Sequence, residues 1–132
     1  MARRVGYLLD THVVLWALLD SDALSAAARA VLTDDDASVF ASAVSAYEIG
    51  LKHAFGHLPE GAPLVADYQG FVFRSGWEML PLSAAHAMRA GLLPRVHRDP
   101  FDRMLAAQAL TEGMTLVSND ERIDAFETRR LW

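Results

Sequence analysis

Apolar residues occur along this chain in short blocks separated by polar punctuation, and their period changes from block to block. Residues 5–9, VGYLL, form a brief continuous apolar run, the pattern of a buried strand. From Thr11 to Leu19 the apolar positions Val14, Leu15, Leu18 and Leu19 fall at helical spacing. A second helix is expected over 24–33, LSAAARAVLT, with Ser21 or Asp22 near its start, and the acidic triplet Asp34–Asp36 marks the turn after it. ASVFAS, 37–42, reads as a strand, and Ser42 and Gly56 bracket a helix over 42–56 as N-cap and C-terminal stop. A helix over 63–75, a strand within 77–82 and a Ser83-capped helix over AAHAMRAGLL follow. The clearest helix is 99–113, DPFDRMLAAQALTEG: Asp99 caps it, Pro100 takes the first helical position, and Gly113 ends it. A strand at 115–118, a short helix and a terminal strand in RRLW complete the pattern. Strands alternate with helices, so the expected architecture is α/β, with a central, mainly parallel sheet flanked by helices in three layers. The 132 residues suit a single domain, 1–132.

Composition narrows the chemistry. Just over half of the residues are apolar, enough for a real core, and there is no cysteine, which excludes disulfides and thiolate metal sites. The apolar run after Arg3 and Arg4 is too short for a signal-peptide core and meets Asp10, and no stretch is long enough to span a bilayer. A soluble, cytoplasmic protein with no membrane partner is expected. The formal net charge of −5 argues against nucleic-acid binding through a generally basic surface. Eleven of the twelve basic residues are arginine, however, whose forked donors suit phosphate.

Four carboxylates stand at telling places. Asp10 ends the first strand and Asp120 follows the strand at 115–118, and ligands of parallel sheets bind beyond the carboxyl ends of the strands. Asp102 lies in the first turn of the helix that begins at Pro100, and Glu48 lies within a mostly apolar helical segment. Each also has a structural explanation. Asp10 can cap the helix after it, Asp102 can complete a capping box with Asp99, Glu48 can pair with Lys52 four residues on, and Asp120 can make a turn. Asp34–Asp36 read as a solvated loop. Several acids gathered and buried repel one another unless a divalent cation sits between them. Oxygen ligands without cysteine favour Mg2+, with Mn2+ able to substitute. Such an ion activates water and stabilises the oxygen leaving phosphorus, which lets an acidic protein cut an acidic polymer.

The segments LLDTHVVLW, SAVSAYEIGLKHAFGHLP, HRDPFDRMLAAQAL and LVSNDERI resemble, in order and over nearly the whole chain, the acidic motifs of a PIN domain, and in particular of the VapC-type toxins of toxin–antitoxin pairs. The resemblance implies a Mg2+-dependent endoribonuclease. By motif match Asp10, Glu48, Asp102 and Asp120 become the catalytic acids, Asp10 and Asp102 the main metal ligands, and Glu48 and Asp120 the groups that complete the shell. Asp99 ranks second to Asp102 within DPFD. Thr11 and Ser118 match supporting hydroxyls of the family, and Asn119 is placed to orient Asp120 or a water. The resemblance also implies an RNA substrate, a homodimer, and a VapB-like antitoxin that blocks the cleft, often with an arginine that competes with metal.

Lys52, His97, Arg98 and Arg103 are candidates for contacts to the RNA backbone, with Arg95 a weaker one; a solvated loop and an Asp–Arg pair would explain the same residues. His12 reads as a structural group or a minor phosphate contact. Two other functions fit parts of the pattern. A haloacid-dehalogenase-like phosphatase also places an aspartate after its first strand, but it needs a second acid two residues later, where this chain has His12. A non-catalytic PIN-fold interaction module would have no reason to retain four mutually repelling acids.

Overall fold

Five short strands, all parallel, form one sheet in the order β3-β2-β1-β4-β5 in the computed structural model, which describes residues 6–132. They are β1 (Gly6–Leu9), β2 (Ser38–Ser42), β3 (Glu78–Leu80), β4 (Thr115–Val117) and β5 (Arg130–Leu131). Val5, expected to open the first strand, lies outside the described residues. The sequence pattern suggests a mainly parallel sheet, and among the described residues every pairing is parallel. Parallel strands need crossovers, and among the described residues seven helices surround them: α1 (Thr11–Leu19), α2 (Ala26–Leu32), α3 (Ala43–Ala54), α4 (Ala62–Ala66), α5 (Tyr68–Arg74), α6 (Ala84–Leu92) and α7 (Pro100–Glu112).

The continuous apolar character of β1 follows from burial on both faces of the sheet. Leu8 and Leu9 are both fully buried but point to opposite sides. Leu9 joins a core with Val13 and Val14 of α1, Ala28 and Val31 of α2, Ile49 of α3 and Val72 of α5. Leu8 joins a second core with Val44 of α3, Leu105 and Ala109 of α7, Leu116 and Ile123. Two helical layers thus enclose the sheet.

Local chemistry sets the helix boundaries. The Ser42 hydroxyl accepts the Val44 N–H at 2.9 Å and starts α3. The Asp99 carboxylate accepts the Phe101 N–H at 2.9 Å, and Gly113, with φ of 67°, ends α7 in the left-handed conformation that glycine adopts without strain. Ser83 caps α6, where His86 completes a capping box by returning Nδ1 to the Ser83 N–H at 3.0 Å.

Three expected elements differ in their extent. The helix expected over 24–33 begins at Ala26, because Ser25 rather than Ser21 or Asp22 accepts the Ala28 N–H, at 3.0 Å. The helix expected over 63–75 is two helices. Asp67 takes an extended φ of −157° and accepts the Gly70 N–H at 2.9 Å, ending α4 and capping α5 in one residue. The short helix expected after β4 is a 3-10 turn, Glu121–Phe126.

Candidate functional site

The register of the three central strands builds the floor of the site. Leu9 pairs with Val117, so Asp10 and Ser118 leave adjacent strands side by side. The Asp10 N–H donates to the Val117 carbonyl at 3.0 Å, and the Ser118 hydroxyl donates to Asp10 Oδ2 at 2.7 Å. Asp10 precedes α1, yet its side chain makes no capping bond. A purely capping role is therefore not what its carboxylate performs. It is buried, as are Glu48 and Asp102, whereas Asp120 is half-buried.

The remaining acids reach the same edge from other elements. Glu48 projects from the middle of α3, and its Oε2 takes Lys52 Nζ at 2.5 Å, so the i,i+4 pair forms with the acid inside and the ammonium half-exposed. Asp102 stands in the first turn of α7. Its carboxylate does not complete a capping box with Asp99; Oδ2 lies 2.7 Å from Nε2 of His97. Asp99 is occupied as the cap of that helix. Asp120 accepts the Arg122 N–H at 3.0 Å and pairs with the Arg122 guanidinium at 2.8 Å.

Electrostatics tie these groups into one neighbourhood. Burial pushes the Asp10 carboxyl above the ordinary range, opposed by the Ser118 hydroxyl, the His12 charge and the Thr11 N–H, while Glu48 pushes it further up. Burial likewise raises Asp102 to about 6, against the His97 hydrogen bond and with the charges of Asp10 and Asp99 adding to the rise. Asp120 is lowered instead, chiefly by its bond to Arg122. Among the described residues, the one group of three donors lying within 4.8 Å of one another is His97, Asp102 and Asp120. Asp10 and Glu48 stand outside that group, although each is felt electrostatically by the next acid.

The supporting residues differ in what they touch. Thr11 is buried, and its hydroxyl shares a hydrogen bond with Ser45 at 2.9 Å, which joins the start of α1 to α3. Ser118 bonds Asp10 and also accepts the Asp120 N–H at 3.0 Å, so one hydroxyl orders two of the acids. Asn119 is exposed. Of the residues considered for phosphate contacts, Arg98 and Arg95 are exposed and line an open cleft of about 460 Å3 with Gly91 and Arg103. His97 is buried against Asp102 rather than facing solvent. The Arg103 guanidinium donates to the carbonyls of Ala90, Leu93, Pro94 and His97 at 2.7–3.1 Å. Arg122 is not singled out by the sequence pattern; its position two residues after Asp120, within reach across a tight turn, is the signal that points to it.

Residues 7–128 match the family model described as PIN domain. The chain belongs to the PIN domain family. PIN domains are generally nucleases that use a divalent metal, and this membership removes the haloacid-dehalogenase-like alternative. No curated protein matches the sequence significantly. Solved structures share the fold of this PIN domain at low identity. VapBC2 from Rickettsia felis, solved on a DNA fragment from its promoter, is 18% identical with a TM-score of 0.66, covering 96% of this chain and 98% of that one. FitAcB from Neisseria gonorrhoeae is 19% identical with a TM-score of 0.66, over 96% of each chain. PAE2754 from Pyrobaculum aerophilum is 17% identical with a TM-score of 0.57, covering 96% of this chain and 83% of that one.

Proposed function

We propose that this PIN domain, a single domain over 1–132, is the endoribonuclease toxin of a toxin–antitoxin pair and hydrolyses RNA phosphodiester bonds with Mg2+, for which Mn2+ substitutes. One observation carries the reading. Asp10 and Asp102 are buried and pushed up in pKa, and among the described residues neither has a lysine or arginine partner. Two such carboxylates are costly to keep unless a cation completes them. The carboxylates offer hard oxygens, and the chain has no thiolate, a donor set that fits Mg2+ or Mn2+.

In this reading Asp10 and Asp102 are the main ligands, and Glu48 and Asp120 complete the shell. When bound, the ion polarises a phosphoryl oxygen and activates a water for attack on phosphorus. The chain's own residues orient and exclude. Ser118 aims Asp10, the Thr11–Ser45 pair fixes α1 against α3, and the buried strand ends keep the acids from collapsing into solvent. Arg98 and Arg95 in their cleft, and Lys52 beside Glu48, supply cations for the RNA backbone.

The partners follow the same reading: RNA as substrate, a VapB-like antitoxin and a second copy of the chain. Large apolar side chains left in solvent, Tyr47 and Phe55 on or beside α3 and Met88 and Leu92 on α6, supply surface for such contacts. Among the described residues no helix is long and apolar enough to cross a membrane, and a cytoplasmic location is part of the proposal.

The test is cleavage of total RNA by purified protein with and without Mg2+, alongside Asp10→Asn. The wild-type chain should cut only with the ion. The variant should keep its circular dichroism spectrum and lose at least ~100-fold in rate, since it loses a ligand of the centre. A fully active Asp10→Asn variant refutes the assignment of Asp10. Absence of Mn2+ binding to the wild-type chain favours the non-catalytic module instead.

A further inference from the structure

The segment 93–99 before α7 carries a histidine that solvent barely reaches. His97 is only 8% exposed, although the residues on either side of it, Val96 and Arg98, are exposed. A buried imidazole in a surface loop calls for a reason, and three sets of contacts supply one. Its Nε2 lies 2.7 Å from Asp102 Oδ2. Its ring lies against Phe126, with centroids 5.9 Å apart and planes tilted by 30°. Its carbonyl accepts from the Arg103 guanidinium at 3.1 Å.

Arg103 is the next residue after Asp102, so the same first turn of α7 that displays the acid also pins the loop that reaches back to it. The guanidinium gathers the carbonyls of Ala90, Leu93 and Pro94 as well, at 2.9, 2.7 and 2.8 Å, and sits 5.8 Å from the centre of the Phe126 ring. Ring, backbone and acid are thereby locked as one unit. The chemistry of the partner differs from that at the other acids. Glu48 and Asp120 are each held by a full cation, Lys52 and Arg122, which a metal must displace or share with. An imidazole restrains a carboxylate through one N–H in a fixed direction.

We propose that His97 is the positioning residue of Asp102: it donates Nε2–H to Oδ2, fixes the rotation of the carboxylate and leaves Oδ1 to the metal, with Arg103 and Phe126 holding the imidazole in place. This rests on the metal-nuclease reading above. His97 does not ligate the ion.

Mn2+ is the probe, with affinity read by calorimetry and by electron paramagnetic resonance on the full chain. His97→Ala should weaken Mn2+ binding roughly 10-fold or more, the usual effect of losing the group that orients a metal-ligating carboxylate. His97→Gln, whose amide N–H reaches about as far as Nε2–H, should recover most of that loss. A purely structural role would lower the melting temperature of both variants and leave Mn2+ affinity unchanged. Two measurements on the wild-type chain need no variant to fold. Nitrogen-15 spectra of the metal-free protein should show His97 protonated at Nε2. Pulsed spectra of the Mn2+ complex should show no directly coordinated nitrogen. Wild-type affinity in His97→Ala, an unprotonated Nε2, or a nitrogen bonded to Mn2+ each overturns the proposal. If the wild-type chain binds no Mn2+ at all, it is the metal-nuclease reading itself that has failed.

Discussion

At the scale of single residues, the carboxylates divide by what compensates them. Asp10 and Asp102 are raised by burial, whereas Asp67, Asp120 and Asp124 are lowered, each by hydrogen bonding that favours the charged form. The two groups act on stability in opposite senses. A carboxyl whose folded pKa exceeds its unfolded value binds protons more readily in the native state, so stability rises as pH falls toward the unfolded value. The depressed acids lose their contribution only below the ordinary carboxylate range. Metal-free protein in a chelator should therefore melt higher at pH ~5 than at pH ~7, because Asp102 titrates at about 6 within that interval. Asp102→Asn should flatten the slope, and a melting temperature that falls from pH ~7 to ~5 in the wild-type chain would contradict the account. Metal reverses the sign: cation binding needs the ionised acids, so Mn2+ affinity should drop as pH goes below about 6. Which acids line the strand ends was legible in the sequence, since a strand's end is defined locally. The mostly apolar segment around Glu48 pointed to its burial, whereas the half-exposed position of Lys52 was not legible, because i,i+4 spacing fixes the pair and says nothing of how far the longer side chain reaches toward solvent.

Elements were legible where capping chemistry and periodicity agreed. The helix over 99–113 had Asp99, Pro100 and Gly113 all pointing to one start and one end, and α7 runs Pro100–Glu112. Over 63–75 one helix was expected, and the structure divides it where Asp67 accepts the Gly70 N–H, a local hydrogen bond that starts a new helix. Loop 93–99 is the opposite case, a segment with no period that tertiary contacts make rigid. Arg103 is a candidate for RNA contact by its place in the sequence, but its donors hold loop carbonyls. Arg103→Lys keeps the charge and loses the fork. It should lower unfolding free energy by about 2 kcal/mol, the scale of a few charge-assisted hydrogen bonds at a half-buried site. Urea denaturation measures it; unchanged stability with weakened RNA binding would return Arg103 to the phosphate path.

For the whole molecule the controlling fact is the sign of the field. The chain carries a formal net charge of −5 and gathers carboxylates at the site proposed for RNA cleavage. A polyanion is attracted only if a cation inverts that local potential. A short fluorescent RNA should accordingly bind weakly in chelator and measurably tighter, by ~10-fold or more, in Ca2+, an ion that fills oxygen sites. Anisotropy titration decides it. Equal affinity in both conditions would mean that Arg95, Arg98 and Lys52 suffice and that the acids do not face the RNA.

The sequence by itself determined the α/β order, the capped helices and the four acidic positions, because strand ends, caps and apolar periods are written in neighbouring residues. Only the tertiary structure decided the partners that are not near neighbours on one element, Ser118 for Asp10 and His97 for Asp102, whereas Lys52 and Arg122 stand four and two residues from the acids they hold. Strand register and loop packing bring Ser118 to Asp10 from the far end of the chain and fold His97 inward onto Asp102. Such meetings are set by how layers pack, and a linear pattern holds no record of the distances they create.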